Sequence, residues 1–153
     1  MKKAWTILFY IVLALIISGC SKDEAMNENF KPTEIEGIFM AIKENSLTNK
    51  EATIIIKDTN KKGTYIYGDS FWIDKKENDN WISLTTIGKN CGFNYIAYYT
   101  NDEGILELKQ NWDCMYGGLE AGTYRLVKDI SLESDVPLTE SDKKYITVEF
   151  TIE

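Results

Sequence analysis

The side chains that most often do chemistry are unevenly supplied in this 153-residue chain, which has no histidine. That removes imidazole general bases, Ser-His-Asp and Cys-His nucleophile systems, and the usual His-containing zinc sites. One nucleophile motif is left: Ser141-Asp142-Lys143-Lys144 fits S-x-x-K, the acyl-enzyme signature of penicillin-interacting proteins. With only two specified positions, about one such match arises by chance in a chain of this kind. It sits before a terminal strand rather than at the start of a buried helix, and no S-D-N or K-T-G partner accompanies it. No catalytic residue is assigned, and the chain reads as a non-enzyme. Glu133, Asp135, Glu140 and Asp142, with Asn101-Asp102-Glu103 and Glu77-Asn78-Asp79, supply oxygen ligands of the kind Ca²⁺ takes. None has the D-x-D-x-D-G spacing, so solvated loop rims are expected, with no metal and no cofactor. No segment singles out a carboxylate pair for glycoside hydrolysis.

Aromatic residues are the better candidates for a surface. Trp72 lies between Phe71 and Ile73, so in a strand of period two it points to the face opposite them. Trp112, Tyr116 and the pair Tyr98-Tyr99 lie in or near loops around Cys91 and Cys114. Exposed rings bind sugars and protein partners because they offer large area at little entropic cost. Trp72, Tyr98, Trp112 and Tyr116 are therefore the candidate binding residues; the alternative is packing against neighbouring loops. Trp81 and Tyr124 are assigned to the core.

Lys+Arg number 17 and Asp+Glu 24, a net charge of −7. An acidic chain without a basic cluster is a poor binder of nucleic acid or anionic lipid, both of which need phosphates neutralised by Lys and Arg. The N-terminus is an address. Lys2 and Lys3 precede an apolar run from Ala4 to Ile17, broken only by Thr6, and Ser18-Gly19-Cys20 follows. A charged start, a short apolar stretch and then small residues form a secretory signal peptide, expected as a helix and too short to span a bilayer.

Ile17-Ser18-Gly19-Cys20 resembles the lipobox of bacterial lipoproteins: a branched aliphatic, two small residues, then cysteine. The resemblance implies that the Cys20 thiol receives a diacylglyceryl group and that cleavage makes Cys20 the first mature residue. Two or three acyl chains hold a protein at a membrane surface, each buried CH₂ contributing about 0.8 kcal/mol. Removing residues 1–19 takes away two Lys and no acids, leaving a net charge of −9. Residues 20–35 are polar and charged, the composition of a flexible tether, and residues 36–153 form the domain. The expected location is extracytoplasmic, lipid-anchored to a bacterial membrane.

From Ile35 the apolar period is two. Candidate strands are Gly37 to Ile42, Ala52 to Lys57, Asp69 to Lys75, Trp81 to Leu84, Ile105 to Lys109, Thr123 to Val127 and Tyr145 to Ile152. No segment after residue 35 sustains a 3.6-residue period, and Leu132 to Lys144, with Pro137, reads as a loop or a helical turn. About seven short strands indicate an all-β antiparallel sandwich, with a closed up-and-down barrel as the alternative. Leu119-x-x-Gly122-x-Tyr124 has the spacing of a tyrosine corner, in which a Tyr hydroxyl folds back to the backbone of the preceding turn.

Tyr67-Gly68, Phe71-x-Ile73, Trp81 and then Tyr116-Gly117-Gly118-Leu119-x-x-Gly122-x-Tyr124-Arg125-Leu126-Val127-Lys128 resemble bacterial immunoglobulin-like domains of small secreted lipoproteins. The resemblance spans residues 36–153 and implies an immunoglobulin-like sandwich without an assigned activity. Two departures stand out: an extra residue separates Tyr116-Gly117 from Leu119, and no Pro precedes the corner Gly. The inter-sheet cysteine pair of antibody domains is also absent, since Leu126 stands two residues after Tyr124.

With Cys20 reserved for lipid, Cys91 and Cys114 are an even pair in an oxidising compartment and are expected to form a disulfide. The function expected is a non-catalytic binding or structural role at the cell envelope, with the membrane reached through Cys20 and an envelope protein or a glycan as partner. A carbohydrate- or peptidoglycan-binding module is the alternative.

Overall fold

A computed structural model of the chain describes residues 34–134 and 143–153. The signal segment 1–19, Cys20, most of the tether, Asp135, Pro137, Glu140 and the Ser141 of S-x-x-K lie outside the described residues. In chain order the elements are β1 (Ile38–Ile42), β2 (Glu51–Asp58), β3 (Tyr65–Glu77), β4 (Asn80–Ser83), β5 (Ile105–Asn111), the one-turn helix α1 (Asp113–Tyr116), β6 (Gly122–Leu132) and β7 (Lys144–Ile152).

Seven antiparallel strands form two sheets, β1-β2-β5 and β4-β3-β6-β7. Each expected strand is present, and the two separate sheets make the fold a sandwich rather than a barrel. The alternation that marks the strands also sets their faces. Ala52, Ile54 and Ile56 of β2, Leu126 and Ile130 of β6, and Ile146, Phe150 and Ile152 of β7 meet in one buried cluster between the sheets. Each such large apolar side chain stabilises the fold by about 1.5–3 kcal/mol relative to an exposed one.

Turn chemistry closes the hairpins. Asn78 (φ 48°) and Asp79 (φ 63°) occupy the left-handed region, giving the two-residue turn whose twist suits the β3–β4 hairpin and fixing the pairs Glu77↔Asn80 and Lys76↔Trp81. Gly104 (φ 74°) precedes β5, where a Cβ would stand 2.1 Å from the Asp58 carbonyl oxygen, so only glycine fits. α1 was not legible as a helix, because a single turn is too short to show a 3.6-residue period.

At the start of β6, Tyr124 Oη donates to the Glu120 carbonyl at 2.9 Å, and Leu119 is buried beside it. Gly122 does not have a positive φ, and a Cβ there would lie 3.4 Å from the Tyr124 ring, an ordinary contact. The corner therefore rests on the phenol and Leu119, not on glycine's conformational freedom. Tyr124→Phe is expected to cost about 1 kcal/mol in urea unfolding. A variant as stable as the parent would show that this hydrogen bond contributes nothing.

Candidate functional site

The site begins as an interruption in β3. Pairing with β6 is regular at Tyr65–Tyr67 and again at Phe71–Lys75, and its register shifts between Tyr67 and Phe71. The carbonyls freed by this bulge are taken up by Lys128 of β6, which is 0% exposed. Its Nζ donates to Ser70 O at 2.9 Å and also to Gly68 O. Ser70 Oγ donates to Asp129 Oδ1 at 2.7 Å.

Burial is the largest influence on the Lys128 ammonium and lowers its pKa to about 8, against the opposing pull of Asp129 and Asp69. The unfolded chain, with lysine near its ordinary value, binds more protons between pH 8 and about 10.4, so stability rises with pH in that window. Between pH 7 and 9.5 the gain is expected to be about 2 kcal/mol. Urea titrations at those two pH values check it, and Lys128→Met should abolish the rise. Above pH 10 the phenol of Tyr67 works in the opposite direction. Burial and Asp58 push it far above its ordinary value, so unfolding then releases a proton.

The bulge turns Asp69 toward the long β4–β5 connection. Its carboxylate accepts from Asn94 N at 2.8 Å, Asn94 Nδ2 at 3.2 Å and Tyr98 Oη at 3.2 Å. Tyr98 also exchanges two backbone hydrogen bonds with Tyr67, at 2.9 and 3.1 Å. At the other end of the loop the Phe93 ring stands edge-on to Phe71, centroids 5.2 Å apart. Between these ties the chain shows Tyr95 fully to solvent, with Ile96 45% and Tyr99 46% exposed. The Tyr99 hydroxyl donates to Glu133 Oε1 at 3.1 Å.

Cys91 and Cys114 are joined in a disulfide, with Cα atoms 5.9 Å apart. It fastens the start of the loop to α1, where Ile87 N also donates to Met115 O at 2.8 Å. Beside it runs an open groove of about 300 Å³, bordered by Phe71, Gly92, Phe93, Gln110 and Met115. The crosslink spans 23 residues, so its loss is expected to lower stability by about 3 kcal/mol in the chain-entropy account. Thermal unfolding with and without reductant measures this, and unchanged melting after confirmed reduction would refute it.

The four aromatic candidates separate. Trp72 points outward from β3, opposite Val127, and packs edge-on against Tyr145 of β7 at 5.2 Å. Tyr98 is part of the loop tie. Trp112 and Tyr116 are not surface residues, contrary to the sequence reading. Trp112 is 0% exposed, stacks on Phe150 at 5.6 Å and donates from Nε1 to Asn49 O at 2.9 Å. Tyr116 is 9% exposed, with its buried hydroxyl beside the Ile73 backbone and Thr86. Both are drawn inward because Trp112 continues the inward series of β5 and α1 turns the chain back over the core.

Trp81 is a correction of the opposite kind. It lies on the outer face of the four-stranded sheet, with the Arg125 guanidinium 4.8 Å from its ring centroid. Beneath it Arg125 Nε donates to Asp74 Oδ2 at 2.7 Å, and Ser83 Oγ donates to Asp74 Oδ1 at 2.6 Å. Trp81 and Tyr145 thus join Trp72 on that face, and neither was among the candidates. Among the described residues, no group of three or more Cys, Asp or Glu is placed to hold a metal ion.

A family model described as a bacterial Ig-like domain matches residues 34–151. No curated protein and no solved structure gives a significant match. Domains of this kind are typically non-enzymatic, and the family together with the disulfide is characteristic of a location outside the cytoplasm.

Proposed function

The chain belongs to the bacterial Ig-like domain family, and from that premise we propose that it is a lipid-anchored, non-catalytic binding module of the cell envelope. Acyl chains on Cys20 hold it to the membrane, residues 20–35 tether it, and the sandwich presents the loop 93–99 as its contact surface. The observation that carries this reading is the tying of that loop by Asp69, Phe93 and Tyr98 around a wholly exposed Tyr95. Little flexibility is left to lose on binding, so apolar contact there turns into affinity at low entropic cost.

Carbohydrate binding is the second reading, supported by Trp72, Trp81 and Tyr145 sharing one outer face. The polar groups at the centre of that face, Asp74 and Arg125, are bonded to each other. It offers ring area for stacking with fewer hydrogen bonds to orient a sugar.

Detergent partitioning tests the anchor: the full chain enters the detergent phase, and Cys20→Ala stays aqueous. Retention on purified cell-envelope material tests the surface. The variant Tyr95→Ala/Ile96→Ala should lose retention while Trp72→Ala/Tyr145→Ala keeps it. The reverse result, with binding to isolated peptidoglycan, would establish the sugar reading. Equal retention by both variants would refute a contact role for the loop.

A further inference from the structure

The exposed apolar side chains of this domain are not scattered. Seven large ones are exposed among the described residues, and five of them, Ile82, Ile87, Tyr95, Ile96 and Tyr99, fall between residues 80 and 101. The same stretch holds a single charged residue, Lys89, in a chain that is 27% charged. It also lies along one side of the molecule. β6 occupies one edge of β3 over its whole paired length, so β4, paired at Asp74–Glu77, and Tyr98, paired at Tyr67, both take the other edge. The loop therefore runs beside β3 and faces sideways rather than off either end of the sandwich.

We infer that this side is a self-association surface, and that its occupant is the same side of a second copy of the chain, packed about a two-fold axis near Tyr95. Charge argues for that partner. Without residues 1–19 the chain carries a net −9, so a second acidic copy is repelled over most of its surface and approaches closely where charges are few. A cationic partner would be drawn to the acidic surfaces, whereas here Lys89 is the loop's one charge and the adjoining Asp69 and Glu133 carboxylates accept hydrogen bonds from the loop. An isologous contact needs a patch complementary to itself, and neutral aromatic and aliphatic groups meet that requirement. Anchoring adds to this: copies tethered to one membrane meet in two dimensions, at raised effective concentration. The inference rests on the proposed anchor and on the loop as contact surface.

The test uses the full chain in its own membrane, with p-benzoylphenylalanine in place of Tyr95. Irradiation is expected to give a product of twice the monomer mass whose peptides all derive from this chain, while the same probe at Phe39, exposed on the other sheet, gives none. Sedimentation of the detergent-solubilised chain should show a dimer. Tyr95→Asp/Ile96→Asp should weaken it by at least about thirtyfold, since these are the central apolar side chains of the patch. Both positions are exposed, so an unchanged melting temperature will show that the variant is folded. Crosslinks from position 95 to a different protein would overturn the second copy as partner and leave the contact surface standing. Products at Phe39 as abundant as those at position 95, or none at either, would overturn both.

Discussion

Trp112→Ala is expected to destabilise the domain by about 4 kcal/mol, a large part of the stability of any single domain. The indole is wholly buried and stacks on Phe150, which in turn stacks on Tyr124 at 5.8 Å. Removing it leaves a cavity at one end of an aromatic row and strips the Asn49 carbonyl of the Nε1 donor that reaches it. Urea unfolding of the purified variant measures the loss. A cost below about 1 kcal/mol would mean that the site collapses freely, or that the indole is not in the core. Trp112→Phe should recover part of the loss, keeping the stack but not the donor. A surface binding residue would behave otherwise, losing ligand and not stability.

Arg125→Met should be nearly as damaging, at about 3–5 kcal/mol, because it leaves the Asp74 carboxylate buried without its counter-charge. Arg125 and Asp74 are 8% and 2% exposed, although both lie on the outer face of their sheet. Trp81 covers the guanidinium, and Ser83 takes the second carboxylate oxygen. The double variant Asp74→Leu/Arg125→Met should cost clearly less than Arg125→Met alone, since a desolvated pair contributes little over an apolar replacement. Thermal melts of the singles and the double close the cycle. Additive effects would show that the two groups act independently, and a mild single variant would show that water reaches the pair.

Several features that the sequence reading missed were within its reach. The alternation of β5, continued past Lys109, places Leu108, Gln110 and Trp112 on one face, and so Trp112 in the core. The two-residue turn at Asn78-Asp79 pairs Trp81 with Lys76, and Lys76 shares its face with Trp72, so Trp81 had to point outward. Tyr145 precedes Ile146 in β7 and so belongs to the opposite face. Strand existence was easy because β-branched and aromatic residues alternate over short spans. Strand ends were hard because alternation weakens at polar positions such as Gln110.

Other features had no local signal. Lys128 reads as a surface lysine until the bulge in β3 gives its amine two carbonyls to satisfy. Asp69 and Asn94 stand 25 residues apart, and Asp74 and Arg125 stand 51 apart. Nothing in either neighbourhood names the other.

What the sequence determined alone was the set of seven strands, the all-β class, the position of the tyrosine corner and the pairing of the two domain cysteines. All of these follow from spacing along the chain or from counting. Tertiary structure alone decided which polar side chains go inside, which rings reach solvent and how the long connection lies against β3. Those outcomes depend on register between distant strands, where one bulge shifts every partner beyond it, and no period within a single strand records that shift.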